Sequence, residues 1–211
     1  MRVALALISI FALGCAEPTA KSGPQLRYDG IGVDQDKIPL VFAIKLTNEG
    51  DTPAVMDRMA LKVDRVMPLF DDEAVGDMPK GFDADVTLLV GSGGTFRQHV
   101  PGQTVSVEAG ATSDVHGAIK WAVPTTAAPM IAFVSGRLIF RNGDATVYES
   151  QPYVFMLQSQ PGSIDLVEAA VAKNQHQLPD LLKTLRGIPG KRTARFVEFL
   201  HRLESLPAQT M

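Results

Sequence analysis

The 211-residue sequence holds a single cysteine, Cys15. One cysteine cannot pair within the chain, so a disulfide framework is excluded. None is needed, because about 150 residues already bury roughly two-thirds of the unfolded chain's surface. An excess of positive charge is missing too. Residues 15–161 carry 12 basic and 18 acidic side chains, and residues 162–211 carry 7 and 5. A chain of net charge −3 lacks the basic surface that phosphate contacts demand, so no nucleic-acid partner is expected. Repeats and low-complexity segments are absent. With 45% hydrophobic and 20% charged residues, the composition is that of an ordinary globular protein.

Val3–Leu13 (VALALISIFAL) is an almost unbroken apolar run of eleven residues. A bilayer span needs about 20, whereas a signal-peptide apolar region is this short. Arg2 supplies the positive start, and the run ends in Ala12-Leu13-Gly14-Cys15. That ending resembles a bacterial lipobox, with Ala12 where leucine is usual and Leu13 where a small residue is usual. Residues 1–14 therefore read as a signal peptide and Cys15 as the lipidated residue. Residues 15–25, with the polar AEPTAKSGPQ stretch, read as a flexible tether. Two acyl chains on Cys15 would be enough for stable anchoring. Ala16 resembles the sorting signal for the outer membrane, which implies a location on the periplasmic face of that membrane. Cleavage after Ala16, releasing a soluble periplasmic or secreted protein, is the alternative, and an uncleaved anchor is a third.

Familiar catalytic and metal motifs are missing as well. Gly91-Ser92-Gly93-Gly94 has neither the GxSxG spacing of a nucleophile elbow nor the lysine of a phosphate loop, and reads as a hairpin connection. His99, His116, His176 and His201 show no metal-binding spacing and no orienting carboxylate. Asp71, Asp72, Glu73, Asp77, Asp83 and Asp85 crowd one Gly/Pro-punctuated stretch. Asp71, Asp72, Asp77 and Asp83 are the candidates for a weak cation site, since calcium takes 6–8 converging oxygens. The spacing is not that of an EF-hand, and a solvated acidic loop is the plainer reading. No cofactor and no enzymatic activity are expected.

What the chain does hold, from Leu26 to about Leu157, is a period of two. Val41–Leu46 ends at Thr47-Asn48-Glu49-Gly50-Asp51, and Val55, Met59, Leu61 and Val63 follow on one face. Two strands joined by an Asn-x-Gly turn are expected there. Further strands read at 85–90, 105–107, 115–123 and 132–140. Asn142-Gly143 marks a hairpin into 146–157, where Pro152 signals an edge or a bend. Beyond Gln160 the period changes. Ser163 is expected to cap a helix carrying Ile164, Val167 and Val171. Pro179 opens a second helix that ends near Gly187, and a third is expected from Lys191 to Leu206 with Phe196, Phe199, Leu200 and Leu203 as its stripe.

Val41–Val66, with its Asn48-centred turn, and Ser135–Phe140 resemble the bacterial branch of the water-stress (WHy, late-embryogenesis-abundant type 2) domains. The resemblance implies an immunoglobulin-like fold and a non-enzymatic role, and supplies no active-site residues. The expected architecture is mainly β: an antiparallel immunoglobulin-like β-sandwich over residues 26–160 with a C-terminal helical appendage over 161–211. The expected function is a binding or structural module of an envelope lipoprotein, with the membrane reached through the anchor. Lys191, Arg192, Arg195 and Arg202 are candidate contacts to an envelope protein partner or to lipid, which would make the protein an accessory factor in envelope assembly or transport. A hydrolase with an unrecognised site is the remaining alternative.

Overall fold

The computed structural model describes residues 23–33, 38–70, 83–92, 95–98, 100–122 and 130–206. The strands are β1 (Leu26–Val33), β2 (Leu40–Asn48), β3 (Ala54–Met56), β4 (Arg58–Phe70), β5 (Asp83–Ser92), β6 (Thr95–Gln98), β7 (Val105–Val107) and β8 (Thr112–Ala122). They continue with β9 (Met130–Asn142), β10 (Ala145–Glu149), β11 (Tyr153–Gln158) and the two-residue β12 (Lys191–Arg192). The helices are α1 (Ser163–Lys173), α2 (Leu178–Arg186) and α3 (Ala194–Glu204). The fold is mainly β, with antiparallel sheets and three C-terminal helices.

One sheet has the order β1-β2-β8-β5-β6. A second is built on β9, which pairs with β4 along one edge and with β10 and then β11 along the other, and β3 with β7 forms a third, two-stranded sheet. Phe42 and Ile44 of β2, Val115 and Ile119 of β8, Val134 and Phe140 of β9, and Phe155 of β11 share one core between the two sheets. Each of these strands points alternate residues inward, which is what a pleated strand with one face on a core dictates. Gly117 lies under the Phe42 ring, where a Cβ would stand 2.5 Å from Cζ.

A second core lies on the far side of the β9 sheet. Met67, Leu69, Ile131, Phe133, Val154 and Met156 meet Val167, Val171, Leu181, Leu185, Ile188, Phe196, Phe199, Leu200 and Leu203. Phe133 packs edge-on against Phe196 at 5.2 Å between ring centres and against Phe199 at 5.7 Å. The three C-terminal helices thus pack as a layer on this sheet. Helices of this length are marginal alone, and their apolar stripes supply the stability. The runs MIAFV of β9 and YVFML of β11 are continuous rather than alternating because both faces of these strands are covered.

A bulge in β4 between Val63 and Arg65 changes which residues face which core. Before it, Met59 and Leu61 point between the sheets; after it, Val66 does, and Met67 and Leu69 turn to the helices. One extra residue shifts parity by one, so a strict period of two fails across it. Gly136 lies opposite the bulge, with the Lys62 carbonyl oxygen 2.6 Å from where its Cβ would be.

Four expectations need correction. The Asn48 turn does not join a hairpin: β2 belongs to the first sheet, while β3 pairs with β7 and β4 enters the second sheet. Ser163 begins α1 instead of capping it; Gly162 takes the cap position at φ 81°, and the Ser163 hydroxyl donates to the Gln160 carbonyl at 2.8 Å. Lys191 and Arg192 are not helical, because β12 adds to β11 in parallel, with the Lys191 amide donating to the Pro152 carbonyl at 2.7 Å. At the β9–β10 hairpin the two-residue loop is Gly143-Asp144, and only Gly143 has a positive φ, as a turn with glycine first requires.

Candidate functional site

The most elaborate polar construction among the described residues lies at the end of β2, around Asn48. Asn48 ends β2 and is fully buried. Its side-chain oxygen accepts from the backbone amides of Gln25 and Gly50, each at 3.0 Å. Its side-chain nitrogen donates to the carbonyls of Thr52 at 2.8 Å and Val107 at 3.0 Å. A carboxamide offers two acceptor sites and two donor hydrogens, so every one is used. The Asn48 backbone adds bonds to Ala111 and Gly110. The residue therefore ties β2, the 49–53 crossing, the β7–β8 turn and the start of the described chain into one knot.

The first described residues are fastened there at further points. The Gly23 amide donates to Asp51 Oδ1 at 2.8 Å, and the Glu49 amide donates to the Gln25 carbonyl at 2.7 Å. Gly50 permits this approach: a Cβ there would lie 2.1 Å from the Gly23 carbonyl oxygen. Glycine is required by proximity here, not by backbone angle. Arg27 pairs with Asp29 at 2.8 Å and with Glu49 at 2.7 Å on the surface above. Sequence reading found Asn48 through its turn signature but not its burial, because the partners lie 23 and 59 residues away.

The basic candidates do not gather on one surface. Arg195 is buried, 4% exposed, against Trp121, Ile119, Met156 and Gln158. The space they enclose is about 10 Å³, room for a single water and no larger ligand. Arg202 bridges α3 to α1, donating through Nε to Glu168 at 3.1 Å and through a terminal nitrogen to Asp165 at 3.1 Å. Burial would lower its pKa, but the bonds to Asp165 and Glu168 outweigh that and leave it raised. Arg192 donates to the Arg186 carbonyl at 2.6 Å and lies 5.8 Å from the Phe196 ring centre. The Lys191 ammonium sits 4.7 Å above the Tyr28 ring, a cation–π contact. Lys191, Arg192 and Arg202 are solvent-accessible, yet each is engaged within the fold.

Cys15, Asp71, Asp72, Asp77 and His99 lie outside the described residues. Asp83 begins β5 opposite Ala122, and its side chain is likewise not described. His116 is half-buried in β8, while His176 and His201 are exposed. Among the described residues no three His, Cys, Asp or Glu side chains converge as a metal site. No described helix is long and apolar enough to cross a membrane.

A tyrosine seam closes the edge of the two sheets. Tyr28 of β1 packs on Tyr153 of β11 at 5.4 Å between ring centres, and Tyr148 of β10 packs on Phe140 at 5.9 Å. Gln151 Nε2 donates to the Tyr153 hydroxyl at 3.3 Å. Burial, reinforced by the hydrogen bond with Tyr28, pushes the Tyr153 phenol well above its ordinary value, and burial also raises Tyr148. Both stay neutral at physiological pH and serve packing.

No protein-family model matches the chain, and no curated protein matches it. Among solved structures, the chain is similar to the X-ray structure of Northeast Structural Genomics Consortium target SoR45, at 8% sequence identity and a TM-score of 0.21. The match covers 64% of this chain and 82% of that one, and at this TM-score it carries no argument about fold or function.

Proposed function

We infer that the chain is a non-enzymatic envelope lipoprotein, held through Cys15 and presenting an immunoglobulin-like β-sandwich as a binding or structural module. The observation that carries this reading is the knot at Asn48. Four hydrogen bonds of one buried side chain, together with the Gly23–Asp51 bond, fix the point at which a tether would load the domain. Seven residues separate Cys15 from Gly23, so at full stretch Gly23 lies at most about 29 Å from Cys15. A lipid on Cys15 would keep this end of the domain beside the bilayer and turn the other end outward. The two facing antiparallel sheets support the sandwich reading.

Mass spectrometry of the mature N-terminus tests the anchor. An acylated Cys15 is expected, and a free Glu17 would overturn it. Pull-down from solubilised membranes with the lipidated protein then tests the binding role. The alternative, an accessory factor that recruits its partner through the basic helices, draws less support. The apolar stripes of α2 and α3 are spent on the β9 sheet, and Arg195 is itself buried.

A further inference from the structure

Asn142-Gly143 is the sequence best suited to spontaneous deamidation, because glycine leaves the following amide nitrogen open to the asparagine side chain. Both residues are exposed at the β9–β10 turn. The contrast with Asn48 is instructive: that carboxamide is buried and fully bonded, whereas Asn142 stands in water. The structure nevertheless holds the attacking atom. The Gly143 amide donates to Asp57 Oδ2 at 3.0 Å. Asp57 is fixed in turn by its own amide, which donates to the Arg141 carbonyl at 2.8 Å, and its Oδ1 lies 3.6 Å from Arg58 Nε. Arg58 also donates to the Gly143 carbonyl, so the glycine is gripped from both sides.

We propose that Asn142 is a latent modification site and that Asp57 keeps it closed. In the open reaction the Gly143 nitrogen loses its proton and bonds to Asn142 Cγ, the Cγ–Nδ2 bond breaks, and ammonia leaves with that proton. Water then opens the five-membered succinimide at either carbonyl, giving aspartate or isoaspartate. Asp57 opposes the first step twice. Its carboxylate occupies the N–H in a charge-assisted bond, and its negative charge disfavours an amide anion beside it. Isoaspartate would lengthen the backbone by one carbon where β9 enters the two-residue turn and undo the Asn142–Ala145 pairing. It would also add a negative charge next to Asp57 and Asp144.

Peptide mapping of Asn142 during incubation at mildly alkaline pH tests this. The folded wild type is expected to deamidate at least about ten-fold more slowly than the same chain in urea, the factor a bond to a charged acceptor is worth. Folded Asp57→Ala is expected to regain most of that rate. Asp57→Asn, which keeps a weaker, uncharged acceptor, should fall between the two. If Asp57→Ala does not fold, as judged by its urea transition, Asp57→Asn decides alone. A wild type as fast folded as unfolded overturns the proposal. So does a folded Asp57→Ala, or in its absence Asp57→Asn, that is no faster than the wild type.

Discussion

Truncating Phe133 to alanine tests whether the helices and the two sheets form one cooperative body. Phe133 is fully buried near the start of β9, with Phe196 and Phe199 of α3 against its ring. Removing a buried phenylalanine side chain costs about 3–5 kcal/mol through lost burial and the cavity left behind. With a urea slope of about 2 kcal/mol per molar, the midpoint falls by roughly 2 M. Such a loss is a large share of a domain stability of about 5–15 kcal/mol. The assay has a built-in second probe, because Trp121, the only tryptophan, lies in β8 of the other sheet and packs on the core between the sheets. Far-UV circular dichroism follows the helices, and Trp121 fluorescence follows β8 of the other sheet, where the ring meets the first turn of α3 at Arg195. In one body both signals shift together to the lower midpoint. If the helical signal is lost first while Trp121 keeps the wild-type transition, the helices are an independent appendage and the reasoning from the shared core is refuted.

Three further outcomes follow from the same contacts. Asn48→Ala strips two amides and two carbonyls of their partner; at about 1–3 kcal/mol per buried group left unsatisfied, with water repairing part of it, a loss near 3 kcal/mol is expected in urea unfolding, and under about 1 kcal/mol would show the knot to be ornamental. Arg202→Met should cost no more than about 1 kcal/mol in the same assay, since the guanidinium is 44% exposed and Asp165 is 78% exposed. Tyr153 has its folded pKa raised above the unfolded value of 10.0. The unfolded chain therefore ionises first: this contribution is intact below pH 10 and falls as pH rises beyond it, by up to about 1.4 kcal/mol per pH unit. Tyr153→Phe should flatten that alkaline fall in melting temperature, and an unchanged slope would contradict the assignment.

Much of this architecture was legible in the sequence, and the reason is local. Alternation at Val115, Gly117 and Ile119 marks a strand with one face on a core, and Asn142-Gly143 marks a turn because glycine alone accepts its backbone angle without cost. The stripes of α1, α2 and α3 show in the same way. What neighbouring residues cannot encode is what lies across from them. Periodicity says that Phe196 and Phe199 need a partner; only the tertiary structure supplies Phe133. It also decides that MIAFV and YVFML are covered on both faces, that Asn48 ties segments 23 and 59 residues apart instead of turning a hairpin, and that Arg195 points inward. The sequence by itself determined a mainly β chain ending in amphipathic helices, through contacts that repeat every two or every three to four residues. The tertiary structure alone decided which faces meet and which polar groups are buried, because those depend on desolvation by residues far away in the chain.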